Sequence, residues 1–232
     1  MLSYEEVKKA KNLIQEFAYK DREKGKLIRQ GAKERLYGLI YKDDVFAKLV
    51  QDKLILAIIE AILGSDFVLG GFSAHILHPN AQRMGVHVDY PYWAMASPFP
   101  KHPILEIQVI WMIDDFTSDN GAPLFAPGTQ NLATTPNFDR FEQTAEKITG
   151  TAGTAIISHG LSWHDTSINK SDRSRISLLG NYTPEYIHPL ENNLFDFQST
   201  TIENSTPQLR KLLRHSWMSK NEQIYGMQFK NS

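Results

Sequence analysis

Hydrophobic positions follow two regimes along the chain. In the opening segment they recur at helical spacing: Val7, Ala10, Ile14 and Phe17 follow Ser3 and Glu6, which together read as a capping box. Residues 27–41 and 45–63 carry the same helical expectation, and Gly64 stands where a helix-ending glycine belongs. From about Phe67 the pattern shortens. FVLGGFSAHIL, LEIQVIWMI, GTAIISH and RISLLGNY are apolar or β-branched runs bounded by Gly, Pro, Asn and Asp, and they predict strands. Turn-rich stretches, HPNAQRMG and SDNGAPLFAPGTQ, lie between them, with an amphipathic insert near residues 138–148. Residues 206–227 are basic and read as a solvated terminal helix. The pattern predicts a mainly β protein with flanking helices, its short strands forming a β-barrel or a double-sheet jelly roll. No repeat, low-complexity tract or compositional boundary divides the chain, so residues 1–232 read as one domain. Its expected parts are N-terminal helices over 1–65, a core over 66–190 and an extension over 191–232.

Composition narrows the chemistry. The 232 residues are 41% hydrophobic and 22% charged, a globular balance with material for a buried core. Twenty-five Lys+Arg against 26 Asp+Glu leave a net charge of −1, which argues against a nucleic-acid partner because phosphate neutralisation needs a basic excess. With no cysteine, disulfide scaffolds, thiolate-held zinc or iron–sulfur groups and cysteine nucleophiles are excluded. A metal would have to be held by His, Asp, Glu, carbonyls or water. The N-terminus lacks the basic and apolar regions of a signal peptide. The longest apolar run, LILAIIEAIL, contains Glu60 and is too short to cross a membrane, so the expectation is a cytoplasmic protein with no membrane partner.

The histidines carry the chemical signal. His87-Val88-Asp89 places an imidazole and a carboxylate on one face of an extended segment while Val88 packs the other way. A second imidazole from a distant strand would complete a facial triad with three open coordination positions, the set that suits non-haem Fe(II). His159 and His164, which flank the end of the GTAIISH run, both offer that imidazole. Further on stand Arg173 and Arg175. An arginine inside a β-sandwich is costly unless a carboxylate meets it, and a guanidinium fork can grip the far end of a dicarboxylate. Metal and arginine then form two ends of a slot for one small acid.

Three blocks in order, HVDYPYW, QVIWMIDDFTSDNGAPLFAPGTQ and WHDTSINKSDRSRISLLGNY, resemble the phytanoyl-CoA dioxygenase (PhyH-like) family of Fe(II)/2-oxoglutarate oxygenases. The resemblance covers roughly residues 70 to 182. It implies a double-stranded β-helix (cupin-like jelly-roll) core, iron held by His87, Asp89 and His164, and 2-oxoglutarate anchored by Arg175, these four being the catalytic set. It also selects His164 over His159 and Arg175 over Arg173. The implied activity is a dioxygenase that consumes dioxygen and 2-oxoglutarate, releases succinate and carbon dioxide and hydroxylates a small organic molecule, as a monomer or homodimer. The Asp89 carboxylate fills the position that halogenating relatives open for chloride.

Around this set, Thr166, Ser177, Gln108 and Trp111 are candidate cosubstrate-binding residues. Strict alternation puts Gln108 and Trp111 on opposite faces of one strand, so only one of them faces the site without a bulge. Tyr90, Tyr92 and Trp93 offer pocket walls or loop packing in equal measure. His75 and His78 read as core or loop residues, and His102, His188 and His215 carry no partner pattern. Asn120, Gly121 and the Pro127-Gly128-Thr129 turn read as architectural. Segments 90–102 and 183–206 are candidate lids. Competing functions are a metal enzyme on the same fold that needs no 2-oxoglutarate, which leaves Arg175 without a role, and a non-catalytic binding protein. A structural adaptor is a third, for which no motif argues.

Overall fold

The computed structural model describes residues 2–190 and 205–214. Helix α1 (Tyr4–Glu23) starts at the expected capping box: Ser3 N–H donates to Glu6 Oε2 at 2.8 Å, and Glu6 N–H to Ser3 Oγ at 3.3 Å. Its buried stripe is Val7, Ala10, Ile14 and Ala18. Helices α2 (Asp44–Leu49) and α3 (Lys53–Leu63) divide the expected 45–63 helix, because Asp52 caps a fresh start on the N–H groups of Leu54 and Ile55. Gly64 ends α3 at φ +83°.

The expected helix over 27–41 is not formed. Strands β1 (Ile28–Gln30) and β2 (Lys33–Leu36) make a hairpin around Gly31, whose φ is +59°, and a 3₁₀ turn follows at Leu39–Tyr41. β2 pairs antiparallel with β3 (Phe67–Leu77), so an edge strand is formed where spacing alone reads as helix. The large sheet runs β1-β2-β3-β9-β4-β7, with β4 at Ile107–Met112, β7 at Ala155–His159 and β9 at Arg175–Pro184. A small sheet runs β6-β5-β8, from Glu146–Lys147, Pro123–Phe125 and His164–Thr166. All the pairings are antiparallel, and the two sheets make a jelly roll rather than a closed barrel.

Alternation divides the large sheet into two faces. Phe72, Ala74, Ile76, Val109, Trp111, Ile176, Leu178 and Tyr182 meet Ile14, Phe46, Ile59 and the short helix α5 (Pro207–Leu212) in the main core. The other face carries Ser73, His75, Gln108, Ile110, Arg175, Ser177 and Leu179 towards the cavities. A second cluster (Val88, Tyr92, Leu161, Trp163) packs beneath the loop after His87, with Phe141 of α4 (Phe138–Thr144), the helical part of the amphipathic insert. The terminal helix expected over 206–227 is shorter and not solvated among the described residues: α5 ends at Leu212 and buries Leu209 and Leu212 in the main core, while residues 215–227 lie outside the described residues. Among the described residues no helix is long and apolar enough to cross a membrane.

Candidate active site

His87, Asp89 and His164 each present a ligand atom, and the three atoms lie within 4.8 Å of one another. His164 is the first residue of β8, and His87 joins that strand through an isolated antiparallel bridge. Asp89 N–H donates to Gly160 O at 2.8 Å, and Val88 turns into the second cluster, as the i, i+2 geometry requires. His87 Nδ1 lies 2.8 Å from Gly85 O, and His164 Nδ1 lies 2.9 Å from Ser162 O. A carbonyl only accepts, so both Nδ1 atoms carry the proton and both Nε2 lone pairs are free. Burial first of all holds both imidazoles below their usual range, in the neutral form that binds metal.

Asp89 is the acidic member. Gln108 Nε2 donates to its Oδ2 at 3.0 Å, and Oδ1 lies 3.6 Å from His164 Nε2. Burial pushes this carboxyl up to about 6. Burial outweighs the through-space attraction of Arg35 on this carboxylate, and a divalent cation between it and the two imidazole lone pairs would supply the missing charge. The donor set therefore fits a 2-His-1-carboxylate metal. Phe125 stacks on the His164 ring, centroids 5.2 Å apart.

Arg175 opens β9 and is only 4% exposed. Nη1 donates to Ser177 Oγ at 2.9 Å, Nη2 donates to Gly121 O, and the guanidinium lies over the Phe116 ring at 4.3 Å. Its Nε is buried with no partner, and no carboxylate of a described residue pairs with it. Burial works against the charge and holds the guanidinium below its ordinary value. Such a group is complementary to an incoming anion.

Two cavities connect these groups. One, of 560 Å³, is lined by the three candidate ligands; the other, of 240 Å³, is lined by Arg175 and Ser177. His75, Ile110, Thr166 and Leu179 belong to the walls of both. The structure thus brings Gln108, Thr166 and Ser177 to the site. Trp111 is placed elsewhere: it lies in the helix-side core, with its ring 5.9 Å from Phe72. The register of β4 with β9, Gln108 opposite Asn181 and Trp111 opposite Leu178, decides which of the two faces inwards.

The aromatic trio divides as well. Tyr90 and Trp93 line the larger cavity, whereas Tyr92 is fully buried and its hydroxyl accepts from Leu105 N–H at 2.8 Å. His159 accepts from Leu161 N–H and stacks on Tyr92, apart from the triad. His78 pairs with Glu34, and Arg173 is solvent-exposed. His75 lines both cavities, contrary to its expected core or loop place. His188 Nδ1 meets Pro189 O, while His215 and residues 191–204 of the candidate lid segment lie outside the described residues. Asn120 accepts from Thr117 N–H within its turn, and Thr129 Oγ accepts from Trp163 N–H.

Sequence reasoning missed Asp165. Its Oδ1 accepts from the N–H groups of Met84, Gly85 and Thr166, and its Oδ2 from Arg83 Nε. One buried carboxylate therefore fastens the loop before His87 to the strand that carries His164. Its adjacency to His164 was the available signal.

Residues 1–177 match the family model for phytanoyl-CoA dioxygenase (PhyH). Dioxygenase af480 of Aspergillus fumigatus is 27% identical over 184 residues, covering 78% of this chain and 59% of its own length. Dioxygenase cdmA of Talaromyces verruculosus is 27% identical over 180 residues, 77% of this chain and 60% of its own. The chain spans about three fifths of the length of these relatives. Similar solved structures include HygX from Streptomyces hygroscopicus with nickel, 2-oxoglutarate and hygromycin B bound (TM-score 0.65, 13% identity, 82% of each chain). Another is the non-heme alpha ketoglutarate dependent epimerase SnoN from nogalamycin biosynthesis (TM-score 0.62, 20% identity, 81% of this chain and 77% of that one). At these identities the likeness is one of fold.

Proposed function

From the premise that this chain belongs to the phytanoyl-CoA dioxygenase family, we propose that it is an Fe(II)/2-oxoglutarate-dependent dioxygenase that hydroxylates a small organic molecule. One observation carries the reading: a three-ligand cluster and a buried guanidinium without a carboxylate line adjoining cavities. The His87 and His164 Nε2 atoms and Asp89 would hold the iron, which when bound supplies oxidation of the substrate by dioxygen coupled to decarboxylation of 2-oxoglutarate. Gln108 fixes the Asp89 carboxylate, leaving Oδ1 free for the ion. Arg175 would bind the distal carboxylate of 2-oxoglutarate, with Ser177 and Gly121 O holding the fork in place. The Thr166 hydroxyl lies in the shared wall and would serve the same cosubstrate. Ile110 and Leu179 give the slot apolar walls and Phe125 covers the His164 ring, which strengthens each charged contact inside it. Because Asp89 fills a ligand position, the set favours hydroxylation over halogenation.

Anaerobic addition of Fe(II) and then 2-oxoglutarate should develop the weak visible charge-transfer band of a chelated cosubstrate. Under air, succinate should form in amounts that depend on both. A protein that develops no band, and forms no succinate with any substrate screened, is not this enzyme.

A further inference from the structure

The hairpin that spacing alone reads as helix contributes a cation to the site. Arg35 of β2 stands opposite His75 across the β2–β3 ladder and lines both cavities. It is half-buried, and its one side-chain hydrogen bond is from Nη1 to Tyr37 Oη at 3.3 Å. The other arginines near it are matched: Arg22 by Glu34, and Arg83 by Asp165 and Glu142. Among the described residues no carboxylate pairs with Arg35. The acids within reach are already engaged. Glu34 is held by Arg22 and His78, Asp165 by Arg83 and three backbone N–H groups, and Asp89 by Gln108 beside the candidate ligands. On the proposed function, Fe(II), Asp89, doubly anionic 2-oxoglutarate and Arg175 form a set that is neutral in sum. Arg35 is left over as a positive charge with no ion-pair partner, acting on Asp89 only through space. Exposed apolar side chains stand with it in the larger cavity: Ile28, Met84, Trp93 and Leu190 line it and are between 46% and 57% exposed.

We propose that Arg35, oriented by Tyr37, selects a substrate with one carboxylate on an apolar skeleton. This rests on the proposed oxygenase reading and adds its substrate class. The planar fork meets the carboxylate while the exposed apolar side chains cover the skeleton, so charge and burial are satisfied together. Arg175 is buried and lines the narrower cavity, whereas the half-buried Arg35 also reaches the larger one, so the two guanidinium groups sort two acids.

The test uses protein loaded anaerobically with Fe(II) and 2-oxoglutarate, titrated with 2-naphthoate and with its uncharged isostere 2-naphthamide. Binding is read from tryptophan fluorescence, with W93F identifying the contribution of Trp93, and from perturbation of the charge-transfer band. The wild type should prefer naphthoate by about tenfold or more. Arg35→Gln should reduce that preference to within about twofold and leave the 2-oxoglutarate dissociation constant within about twofold. Arg35→Lys, which keeps the charge and loses the fork, should keep an intermediate preference. A wild type that binds the two probes alike, or neither, overturns the inference. So does an Arg35→Gln protein whose 2-oxoglutarate affinity drops tenfold, because Arg35 then serves the cosubstrate. Absence of the band in the wild type marks failure of the oxygenase reading instead.

Discussion

His87 and His164 are joined at the backbone as well as at the site. Each N–H donates to the other's carbonyl, at 3.0 and 3.1 Å, and their rings lie 4.2 Å apart, centroid to centroid. Two imidazoles far apart in sequence are thereby set at fixed spacing by one antiparallel bridge, before any ion is considered. A preorganised pair of this kind costs little ordering when metal binds.

That bridge depends on Asp165, whose side chain is fully buried. Asp165→Ala would leave the N–H groups of Met84, Gly85 and Thr166 and the Nε of Arg83 without their acceptor, Arg83 keeping only Glu142. The expected loss is about 2–4 kcal/mol of stability and about 10–100-fold in metal affinity. Urea unfolding and Ni(II) titration measure the two separately. Unchanged metal affinity would show that the loop keeps its place without this carboxylate.

Asp89 gives a pH dependence with a definite sign. Its carboxyl is raised to about 6 by burial, so without a cation its ionisation opposes folding. Stability of the metal-free protein should fall as pH rises from the ordinary carboxylate range through 6, because the folded state holds this proton more tightly than the unfolded one. Metal-free Asp89→Asn should therefore exceed the metal-free wild type at pH 7.5 by on the order of 2 kcal/mol. Excess Ni(II) should stabilise the wild type only. Urea melts in chelator and in Ni(II) test both statements, and a metal-free variant weaker than wild type would refute the first.

For Arg175 the expected phenotype is selective. Arg175→Ala should raise the 2-oxoglutarate dissociation constant by about 100-fold and Arg175→Lys by about tenfold, through loss of charge and loss of the fork respectively. Metal affinity should be unaffected, because Arg175 touches Ser177, Gly121 and Phe116 and none of the three candidate ligands. Equal weakening of metal and cosubstrate would point to a collapsed pocket instead.

Glu34, on the opposite face of β2 from Arg35, is 3% exposed and held by Arg22 at 2.7 Å and His78 at 2.9 Å. Burial alone would raise its pKa, but these partners outweigh burial and bring the carboxyl below its usual range. The ionised form is therefore favoured in the folded state. Glu34→Gln should cost about 1–3 kcal/mol at pH 7, and the gap should close as pH falls below the ordinary carboxylate range. A gap that stays constant between pH 7 and pH 3.5 would assign the loss to packing.

Local spacing determined much of this protein. The capping box of α1, the turn glycines at Gly64 and Gly128, and the shared face of His87 and Asp89 depend on a few consecutive residues. The helix predicted over 27–41 failed because β2 pairs with β3, a partner distant in sequence, and β1 then pairs with β2. Alternation separated Gln108 from Trp111, but the ladder with β9 decided which of them meets Asp89 and which meets Phe72. The role of Asp165 and the lack of an ion-pair partner for Arg35 are likewise products of juxtaposition. A strand's period is written in its own residues. The face it turns to the cavity, and the charges it finds there, are set by long-range pairing and by what else is buried alongside it.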